Sequence, residues 1–471
     1  MKIATNGHSF EDAVRQILQL FFDLNSDFEA ESTLQIEENS YIAKAKVTLG
    51  EKSAEGEIKA TLFSPEKREV SDIVKKSVFF ACKKLSDMPT PWGISTGIRP
   101  AKTARMMLDE NKSDEEIIRY MEDEFFVTSK KAKLSLDVAK KEHKLLSNRA
   151  KNAVSLYLGV PFCPTRCAYC SFISQAVKHN QKFVKPYADA LIKEIEATAC
   201  MAESFGYKAE TIYFGGGTPT TLPPEDLERI IKRVKDCFDV SILREFTVEA
   251  GRPDTFSYEM LDVLRQNGVN RISINPQTMN QKTLDKIGRR HTVEDTIRAF
   301  EMAKDYNFSI NADLIAGLPD ESTEDFRKTV REVCAQSPQA VTVHTMYLKR
   351  AARLISDFEK LRFAKDMDSM VQLSYDYLTE NGYSPYYLYK QKNTLGNLEN
   401  VGFSKEGHES LYNIFIMEEI QTILAMGGGA STKMVKGDRI ERVFNPKEAA
   451  DYINRIDEII EKKKTALEFL R

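Results

Sequence analysis

Three closely spaced cysteines are the clearest chemical feature of the chain. Cys163, Cys167 and Cys170 lie in the segment VPFCPTRCAYC, at intervals of four and three residues. Three thiolates at this spacing on a short loop can each bind one iron of a cubane 4Fe–4S cluster. The fourth iron then has no protein ligand and is open to a substrate or cofactor. The spacing therefore predicts a cluster that takes part in chemistry and is not purely structural.

The alternatives for these three cysteines are a chance grouping of three of the seven cysteines and a zinc site. Zinc sites usually take their cysteines from two separate Cys-x2-Cys pairs, and the sequence contains no second pair. The other cysteines stand alone in stretches with helical periodicity, and we expect ordinary buried thiols. They are Cys82, Cys200, Cys237 and Cys334. The cluster remains the favoured prediction.

The elements that must position the cysteines alternate between strand and helix. We predict six buried strands, at 154–160, 211–214, 245–250, 270–275, 310–316 and 341–347. Amphipathic stretches between them predict helices, which implies parallel strands with right-handed crossovers. The pattern predicts an α/β fold built on a partial (β/α)6 barrel. Its site should lie in the loops that follow the carboxyl ends of the strands.

The chain is long enough for two or three domains. We predict an N-terminal accessory α/β and helical module over 1–150, the core barrel over 151–347, and a C-terminal α/β-helical domain that covers the substrate over 348–471. The N-terminal module should contain a helix and three strands, at 10–22, 32–36, 41–49 and 55–62. Its loop at 88–100 is rich in proline and glycine and carries the single tryptophan. A packed connector is favoured for this loop over a segment that contacts substrate.

Composition argues against several classes of partner. The formal net charge of −3 gives no basic signature for nucleic acid. No apolar run reaches the ~18–20 residues that a membrane span needs, and the first residues lack the apolar core of a secretory signal. Seven cysteines without a disulfide framework are typical of a reducing compartment. We therefore predict a cytoplasmic protein that binds neither nucleic acid nor a membrane.

A run of glycines follows the second predicted strand of the barrel. In Gly215-Gly216-Gly217-Thr218-Pro219, consecutive glycines let a ligand approach the backbone without obstruction by Cβ atoms. Such a run by itself is more often a simple turn. One strand away from a cluster loop, it indicates a binding site for a cofactor.

Several segments around these motifs resemble the oxygen-independent coproporphyrinogen III oxidases, a family of radical S-adenosylmethionine (SAM) enzymes. The central segments are 156–163, 215–220, 271–277 and 313–319. The flanking segments resemble the HemZ-type branch of that family, at 91–100, 342–350 and 391–402. The likeness therefore extends over most of the chain. It implies a radical SAM barrel with a 4Fe–4S cluster and SAM as cofactors.

The resemblance also implies roles for individual residues. Cys163, Cys167 and Cys170 correspond to the cluster ligands. The implied SAM contacts are Tyr157, Tyr169, Gly216, Gly217, Thr218, Glu249, Gln277, Arg289, Asp313 and Tyr347. Tyr157 and Arg289 are also taken as catalytic, and Arg289 is suited to pair with the methionine carboxylate of SAM.

Two positions depart from the pattern of the family. Phe172 stands where well-studied members carry a further cysteine, and Gly159 stands in place of a histidine. Relatives that bind haem and do not process coproporphyrinogen also tend to lack the further cysteine. These departures bear on decarboxylase activity and leave the cluster and SAM predictions unchanged.

A tetrapyrrole carries propionates on an apolar macrocycle, so its pocket needs cations beside aromatic rings. Candidates near predicted loop ends are Arg290, Lys349, Arg350, Arg353, Lys390 and Lys392, with Tyr386, Tyr387 and Tyr389. Solvated surface cations and core tyrosines are the favoured alternative for each. His291 and His344 are candidates for haem ligands or proton relays, although a lone histidine is more often structural.

The resemblance implies a radical SAM oxidoreductase that decarboxylates coproporphyrinogen III to protoporphyrinogen IX anaerobically, in haem biosynthesis. The implied partners are a tetrapyrrole, coproporphyrinogen III or haem, and an electron-transfer protein such as flavodoxin or ferredoxin. The competing hypothesis is a haem-binding chaperone that keeps the radical SAM core but has no decarboxylase activity. A radical SAM enzyme acting on tRNA is disfavoured by the near-neutral charge.

Overall fold

The computed structural model describes residues 2–23, 27–147, 150–170, 175–347, 366–391 and 394–471. The chain divides into two compact units. The first unit comprises Met1–Asp137, Lys360–Asp368 and Lys390–Glu399. The second unit comprises Val138–Glu359, Ser369–Tyr389 and Asn400–Arg471. The domain boundaries expected near residues 150 and 347 stay predictions.

The first unit contains one four-stranded sheet. Its strands are β1 (Lys2–Asn6), β2 (Phe28–Glu37), β3 (Ser40–Leu49) and β4 (Lys52–Thr61). β1 runs parallel to β2, and the other neighbours are antiparallel. The helices are α1 (Glu11–Phe21), α2 (Lys67–Lys83), α3 (Ala101–Asp109), α4 (Asp114–Phe125) and α5 (Ser129–Leu146), the last of which continues into the second unit. The predicted helix and three strands are present, and β1 is an additional strand.

The core of the first unit forms where the apolar stripes of α1 and α2 are buried together with the inner face of the sheet. Val14 on α1, Val74 on α2 and Val47 on β3 are each fully buried in it. The alternation of buried and exposed residues along β3 is that of a sheet with one face covered. The pattern of the sequence therefore specifies this core directly.

An eleven-stranded sheet dominates the second unit. Its strands in chain order are β5 (Ala153–Val160), β8 (Lys208–Gly216), β9 (Glu245–Glu249), β10 (Arg271–Ser273), β11 (Ser309–Ala316), β12 (Ala340–Thr345), β13 (Ser384–Lys390), β14 (Glu399–Ser404), β15 (Ile423–Gly427), β16 (Ser431–Lys436) and β17 (Arg439–Phe444). Two short strands, β6 (Phe162–Cys163) and β7 (Gln175–Ala176), form a separate pair. The helices that follow are α6 (Val177–Ser204), α7 (Pro224–Cys237), α8 (Tyr258–Gln266), α9 (Gln281–Lys286), α10 (Val293–Lys304), α11 (Thr323–Ala335), α12 (Met367–Glu380), α13 (Leu411–Glu418), α14 (Ala449–Asn454) and α15 (Ile456–Leu467).

Six parallel strands form the centre of this sheet. β5, β8, β9, β10, β11 and β12 are hydrogen-bonded neighbours in chain order, and helices connect them. This arrangement confirms the predicted α/β fold with a partial (β/α)6 barrel. β14 adds to one edge, antiparallel to β12, and β15 adds to the other, parallel to β5. The C-terminal part of the chain therefore contributes strands to the same sheet.

The four isolated cysteines all lie on helices, but their burial differs. Cys82 is buried as expected, whereas Cys200 is exposed and Cys237 and Cys334 are partly buried. The expectation of a buried thiol was wrong for Cys200, because its position on α6 faces solvent. No helix among the described residues has the length and apolar character needed to cross a membrane.

Candidate active site

The cysteine loop leaves the end of β5 and is bonded directly to the glycine run that follows β8. The amide of Gly217 donates to the carbonyl of Val160 at 2.7 Å, and the amide of Thr218 donates to the carbonyl of Phe162 at 2.7 Å. Cys163 Sγ lies 3.4 Å from Thr218 Oγ1. The predicted cluster ligand and the predicted SAM-binding run therefore meet, because parallel neighbours bring their carboxyl ends to one edge of the sheet.

Backbone geometry explains why glycine is present at two of the three positions in the run. Gly216 has φ +103°, a conformation that favours glycine. A Cβ atom at Gly217 would lie 2.4 Å from the carbonyl oxygen of Phe162, so no other residue fits there. Glycine at position 217 thus permits the close approach of the cysteine-bearing backbone, in addition to any contact with a ligand.

A buried arginine fixes the middle of the cysteine loop. The Arg252 guanidinium donates to Thr165 Oγ1 at 3.1 Å and to the Thr165 carbonyl at 3.3 Å, and its Nη1 lies 3.8 Å from Cys167 Sγ. Asp254 holds the same guanidinium through two bonds of 3.0 Å. Sequence reasoning missed this residue, although a cation directly after β9 at the predicted site edge was a usable signal.

Replacing Arg252 with glutamine should make the reduction potential of the bound cluster more negative. A buried cation beside a cluster thiolate stabilises the more negative, reduced form, and solvent screens it little. A redox titration followed by visible absorbance and electron paramagnetic resonance measures the shift. The exposed neighbour Arg290→Gln is the matched control and should leave the potential unchanged. Equal potentials in wild type and Arg252→Gln would contradict this role.

Tyrosines on β5, β8 and α13 stack together beside a carboxylate at the end of β9. The Tyr213 and Tyr412 rings are 4.4 Å apart, and Tyr157 stacks on both at 6.2 Å. Tyr213 OH donates to Glu249 Oε1 at 2.5 Å. Burial raises the pKa of Glu249 from 4.5 to about 7, and the negative charge of Asp313 adds to the effect. The predicted SAM contacts Tyr157 and Glu249 therefore share one cluster, which α13 completes through Tyr412.

Substituting Glu249 with glutamine should stabilise the protein at high pH relative to wild type. Between pH 4.5 and 7 the folded protein holds a proton on Glu249 that the unfolded chain has released, so this residue's contribution to stability falls as pH rises through that window. Raising the pH from 5 to 8 should therefore increase the advantage of the variant by about 1–3 kcal/mol. Urea unfolding at both pH values measures it, with the exposed Glu259→Gln as control. A difference in stability between Glu249→Gln and the wild type that does not change with pH would contradict the raised pKa of Glu249.

Two predicted SAM contacts carry buried polar atoms that have no partner among the described residues. They are Gln277 Oε1 and Arg289 Nε. Gln277 has φ +68° and is only 8 % exposed. Arg289 is 4 % exposed, and its terminal nitrogens donate to the carbonyls of Asn275, Pro276 and Gly251. Because an unpaired buried polar group is costly, these atoms fit a site whose remaining partner is a polar ligand.

Asp313, His344 and Tyr389 form a chain of polar contacts across β11, β12 and β13. His344 Nε2 lies 3.7 Å from Asp313 Oδ2, and Tyr389 OH lies 3.3 Å from His344 Nδ1. Burial by itself raises the pKa of Asp313, but the contact with His344 and the Asn311 amide outweigh burial and lower it. The carboxylate is thereby held ionised beside the two other predicted oxygen ligands, Glu249 and Gln277.

The remaining predicted residues are distributed more widely. Tyr169 lies between Cys167 and Cys170, two of the predicted cluster ligands, and burial together with Cys167 raises its pKa. Tyr347 follows the end of β12 by two residues. His291 is 1 % exposed, and neither ring nitrogen has a partner in the part of the chain that the structure describes. Burial, reinforced by Arg289 and Arg252, lowers the pKa of His291 to about 3.

Among the candidate tetrapyrrole contacts, Tyr386, Tyr387 and Tyr389 lie close together on β13, with neighbouring ring centroids 4.9 and 6.1 Å apart. Arg290 is exposed, Tyr386 and Tyr387 are buried, and Lys390 is 3 % exposed within the first unit. Four further candidates and the departing residue lie outside the described residues: Lys349, Arg350, Arg353, Lys392 and Phe172. The substrate contacts therefore stay predictions.

Comparison with known proteins agrees with this geometry. The sequence profile of the Radical SAM superfamily matches residues 157–333, which include the cysteine loop, the glycine run and strands β8 to β11. The chain is 38 % identical over 435 residues to an oxygen-independent coproporphyrinogen-III oxidase-like protein, HemZ, of Bacillus subtilis, with 88 % of this chain and 87 % of the relative aligned.

Two further similarities point in different functional directions. The heme chaperone HemW of Lactococcus lactis is 31 % identical over 324 residues, which cover 67 % of this chain and 79 % of the chaperone. The solved structure of coproporphyrinogen III oxidase, HemN, from Escherichia coli superposes with a TM-score of 0.54 at 25 % identity. That superposition covers 67 % of this chain and 72 % of the oxidase.

Proposed function

The chain belongs to the oxygen-independent coproporphyrinogen III oxidase-like family of radical SAM proteins, and we propose that it decarboxylates coproporphyrinogen III to protoporphyrinogen IX without oxygen. The superfamily uses a 4Fe–4S cluster and SAM. When bound, these would supply a deoxyadenosyl radical able to take a hydrogen atom from a propionate β-carbon; loss of carbon dioxide and transfer of one electron to an external one-electron acceptor would then leave a vinyl group. The observation that carries the proposal is the likeness to the oxidase-like relative over 88 % of the chain.

The proposal gives each part of the site a task. Cys163, Cys167 and Cys170 bind three irons, and Arg252 holds their loop from one side. The orphaned Nε–H of Arg289 donates to the methionine carboxylate of SAM. The glycine run contacts the cofactor through its backbone.

The oxygen-bearing residues hold the remaining polar groups of SAM. Gln277 Oε1 has no other partner in the described chain, and Asp313 is kept ionised by His344. The tyrosine stack around Tyr157 closes one side of the site against water. Fixed orientation and exclusion of water are the contributions that a protein makes to radical chemistry of this kind.

A single anaerobic experiment tests the proposal. The reconstituted full-length protein is mixed with SAM, dithionite and coproporphyrinogen III, and deoxyadenosine and porphyrin masses are followed together. Deoxyadenosine formed with the stepwise loss of two carboxyl groups supports the proposal. Deoxyadenosine formed with an unchanged porphyrin mass would keep the radical chemistry and reject this substrate. Cys167→Ala serves as the inactive control.

The second candidate function is a haem chaperone. Two observations favour it, namely the similarity to HemW over 67 % of the chain and Phe172 in place of a cysteine. Titration with haem tests it through the Soret band. A tight Soret shift that is lost in His344→Ala but kept in the exposed His179→Ala would support the chaperone. His291, the other candidate ligand, is 1 % exposed, and neither ring nitrogen has a partner among the described residues, so His291→Ala is tested in the same titration.

A further inference from the structure

A cavity of about 410 Å³ opens in the first unit beside the proline- and glycine-rich loop that sequence analysis interpreted as a connector. Its polar lining includes Arg68, Asp72 and Lys75 from α2, and Arg99 and Lys102 at the start of α3. Ile94, Ile98 and Phe125 form its apolar part. The volume lies within the range of small-molecule pockets. Nothing in the proposed decarboxylation accounts for a charged cavity in this unit.

Buried side chains of the same unit hold the proline- and glycine-rich loop in place on the side away from the cavity. Trp92 is fully buried, and its Nε1 donates to Glu399 Oε2 at 2.6 Å, while Lys131 Nζ donates to Glu399 Oε1 at 2.6 Å. Lys390 fixes the loop at two points. Its Nζ donates to the Ser95 carbonyl at 3.0 Å, and its amide donates to the Ile98 carbonyl at 2.8 Å. The wall of the cavity is therefore preorganised, which lowers the entropic cost of binding a ligand.

The charge of the lining is strongly positive. Three cations of the lining, Arg68, Lys75 and Lys102, accompany one carboxylate, Asp72, which pairs with Lys75 at 2.8 Å and with Arg68 at 4.0 Å. The side chains of Asp72 and Lys75 are only 17 % and 16 % exposed. This ion pair is therefore largely shielded from solvent by the residues around it. Lys102 has no carboxylate within 4 Å among the residues that the structure describes. The lining thus has net positive charge for a ligand to neutralise.

The start of α3 adds backbone donors to these cations. The helix has no acidic residue in its first turn, and its N-cap residue, Pro100, makes no side-chain cap. Amides at a helix start attract anions. The Lys102 amide donates to the Arg99 carbonyl at 3.3 Å, so the donor offered to a ligand here is the amide of Thr103, which also lines the cavity. Gly97, also in the lining, is exposed, and a Cβ atom added there would meet no atom within 4 Å. The loop is therefore open to a ligand at this point.

We propose that this cavity binds a small anion that carries at least two negative charges, on phosphate or carboxylate groups. The cations of α2 and α3 neutralise the charges of the anion, and the Thr103 amide in the first turn of α3 donates to one of its oxygens. The apolar residues contact the uncharged part of the ligand. The proposal requires neither the cluster nor SAM.

Isothermal titration of the full-length protein with inorganic pyrophosphate, and separately with citrate, tests this proposal. The double variant Arg68→Gln, Lys102→Gln should weaken binding by about tenfold or more, because each cation contributes a charge-assisted contact. Added salt should weaken binding to the wild type. The matched control, Arg119→Gln with Lys130→Gln, removes two exposed cations of the same unit that lie outside the cavity, and it should bind like the wild type.

The two probes distinguish whether the negative charges of the ligand are carried by phosphate or by carboxylate groups. Tighter binding of pyrophosphate assigns a phosphate ligand, and tighter binding of citrate assigns a polycarboxylate. Binding of neither probe, or equal losses in the cavity variant and the control, would overturn the proposal. Cleavage of SAM by the cavity variant should equal that of the wild type, so the outcome does not depend on the proposed decarboxylase activity.

Discussion

Replacing Cys167 with alanine should abolish both the visible absorbance of the reconstituted cluster and the reductive cleavage of SAM. Cys167 is the central cysteine of the motif, and Arg252 Nη1 approaches its sulfur at 3.8 Å. With two thiolates left, a cubane cluster has two irons without protein ligands and is not retained. We expect a complete loss of deoxyadenosine formation, the largest effect of any single substitution on activity.

The matched control for this substitution is Cys200→Ala. Cys200 is exposed on α6 and stands far from the motif in sequence. The control should keep the absorbance spectrum, the iron content and the rate of deoxyadenosine formation of the wild type. Retention of cluster absorbance and SAM cleavage in Cys167→Ala would reject the assignment of the cysteine loop. Equal losses in both variants would indicate a general sensitivity to the loss of thiols.

Replacing Lys463 with methionine should destabilise the second unit by about 3–5 kcal/mol. Lys463 on α15 is 1 % exposed and forms an ion pair with Glu194 of α6, which is fully buried. The lysine also donates to the Ala425 carbonyl on β15 at 2.7 Å. Its removal leaves the buried carboxylate without a counter-charge, and a single buried charge costs far more than the pair.

The neighbouring residue provides the control for this prediction. Lys464 is 65 % exposed, and its contact with Glu461 is 4.0 Å long, so Lys464→Met should change stability by less than about 0.5 kcal/mol. Urea unfolding followed by circular dichroism measures both variants. A Lys463→Met protein as stable as Lys464→Met would show that Glu194 is sufficiently held by its other donors. These are the Gly427 amide, Asn445 and Tyr452.

The Glu194 network also shows how the C-terminal part of the chain supports the site. Glu194 accepts from the Gly427 amide at the end of β15, and β15 pairs with β5, the strand that leads into the cysteine loop. Tyr187 on α6 bonds both the Gly159 carbonyl and the Gly428 amide. Weakening this network should therefore loosen the backbone on which Cys163 is carried.

Patterns within short stretches of the sequence determined the predicted cluster motif and the order of strands and helices. The cysteine spacing is a property of eight consecutive residues, and the alternation of strand and helix follows from periodicity in short windows. Since parallel strands with right-handed crossovers bring their carboxyl ends to one edge, the sequence also predicted that the cysteine loop, the glycine run and Glu249 would lie together. The direct bonds between the Gly217 amide and the β5 backbone agree with that expectation.

Long-range packing decided what the sequence left open. Tyr412 reaches the Tyr157 stack from α13, more than 250 residues away along the chain, and no local pattern distinguishes it from other buried tyrosines. Lys390, a candidate for tetrapyrrole binding, donates to the Ser95 carbonyl of the loop in the first unit, a contact that no local pattern indicates. The sequence by itself determined the cofactor chemistry and the barrel, because both depend on spacing along the chain. The tertiary structure alone decided which buried charges are paired and which polar atoms remain free for a ligand, because those depend on side chains brought together by folding.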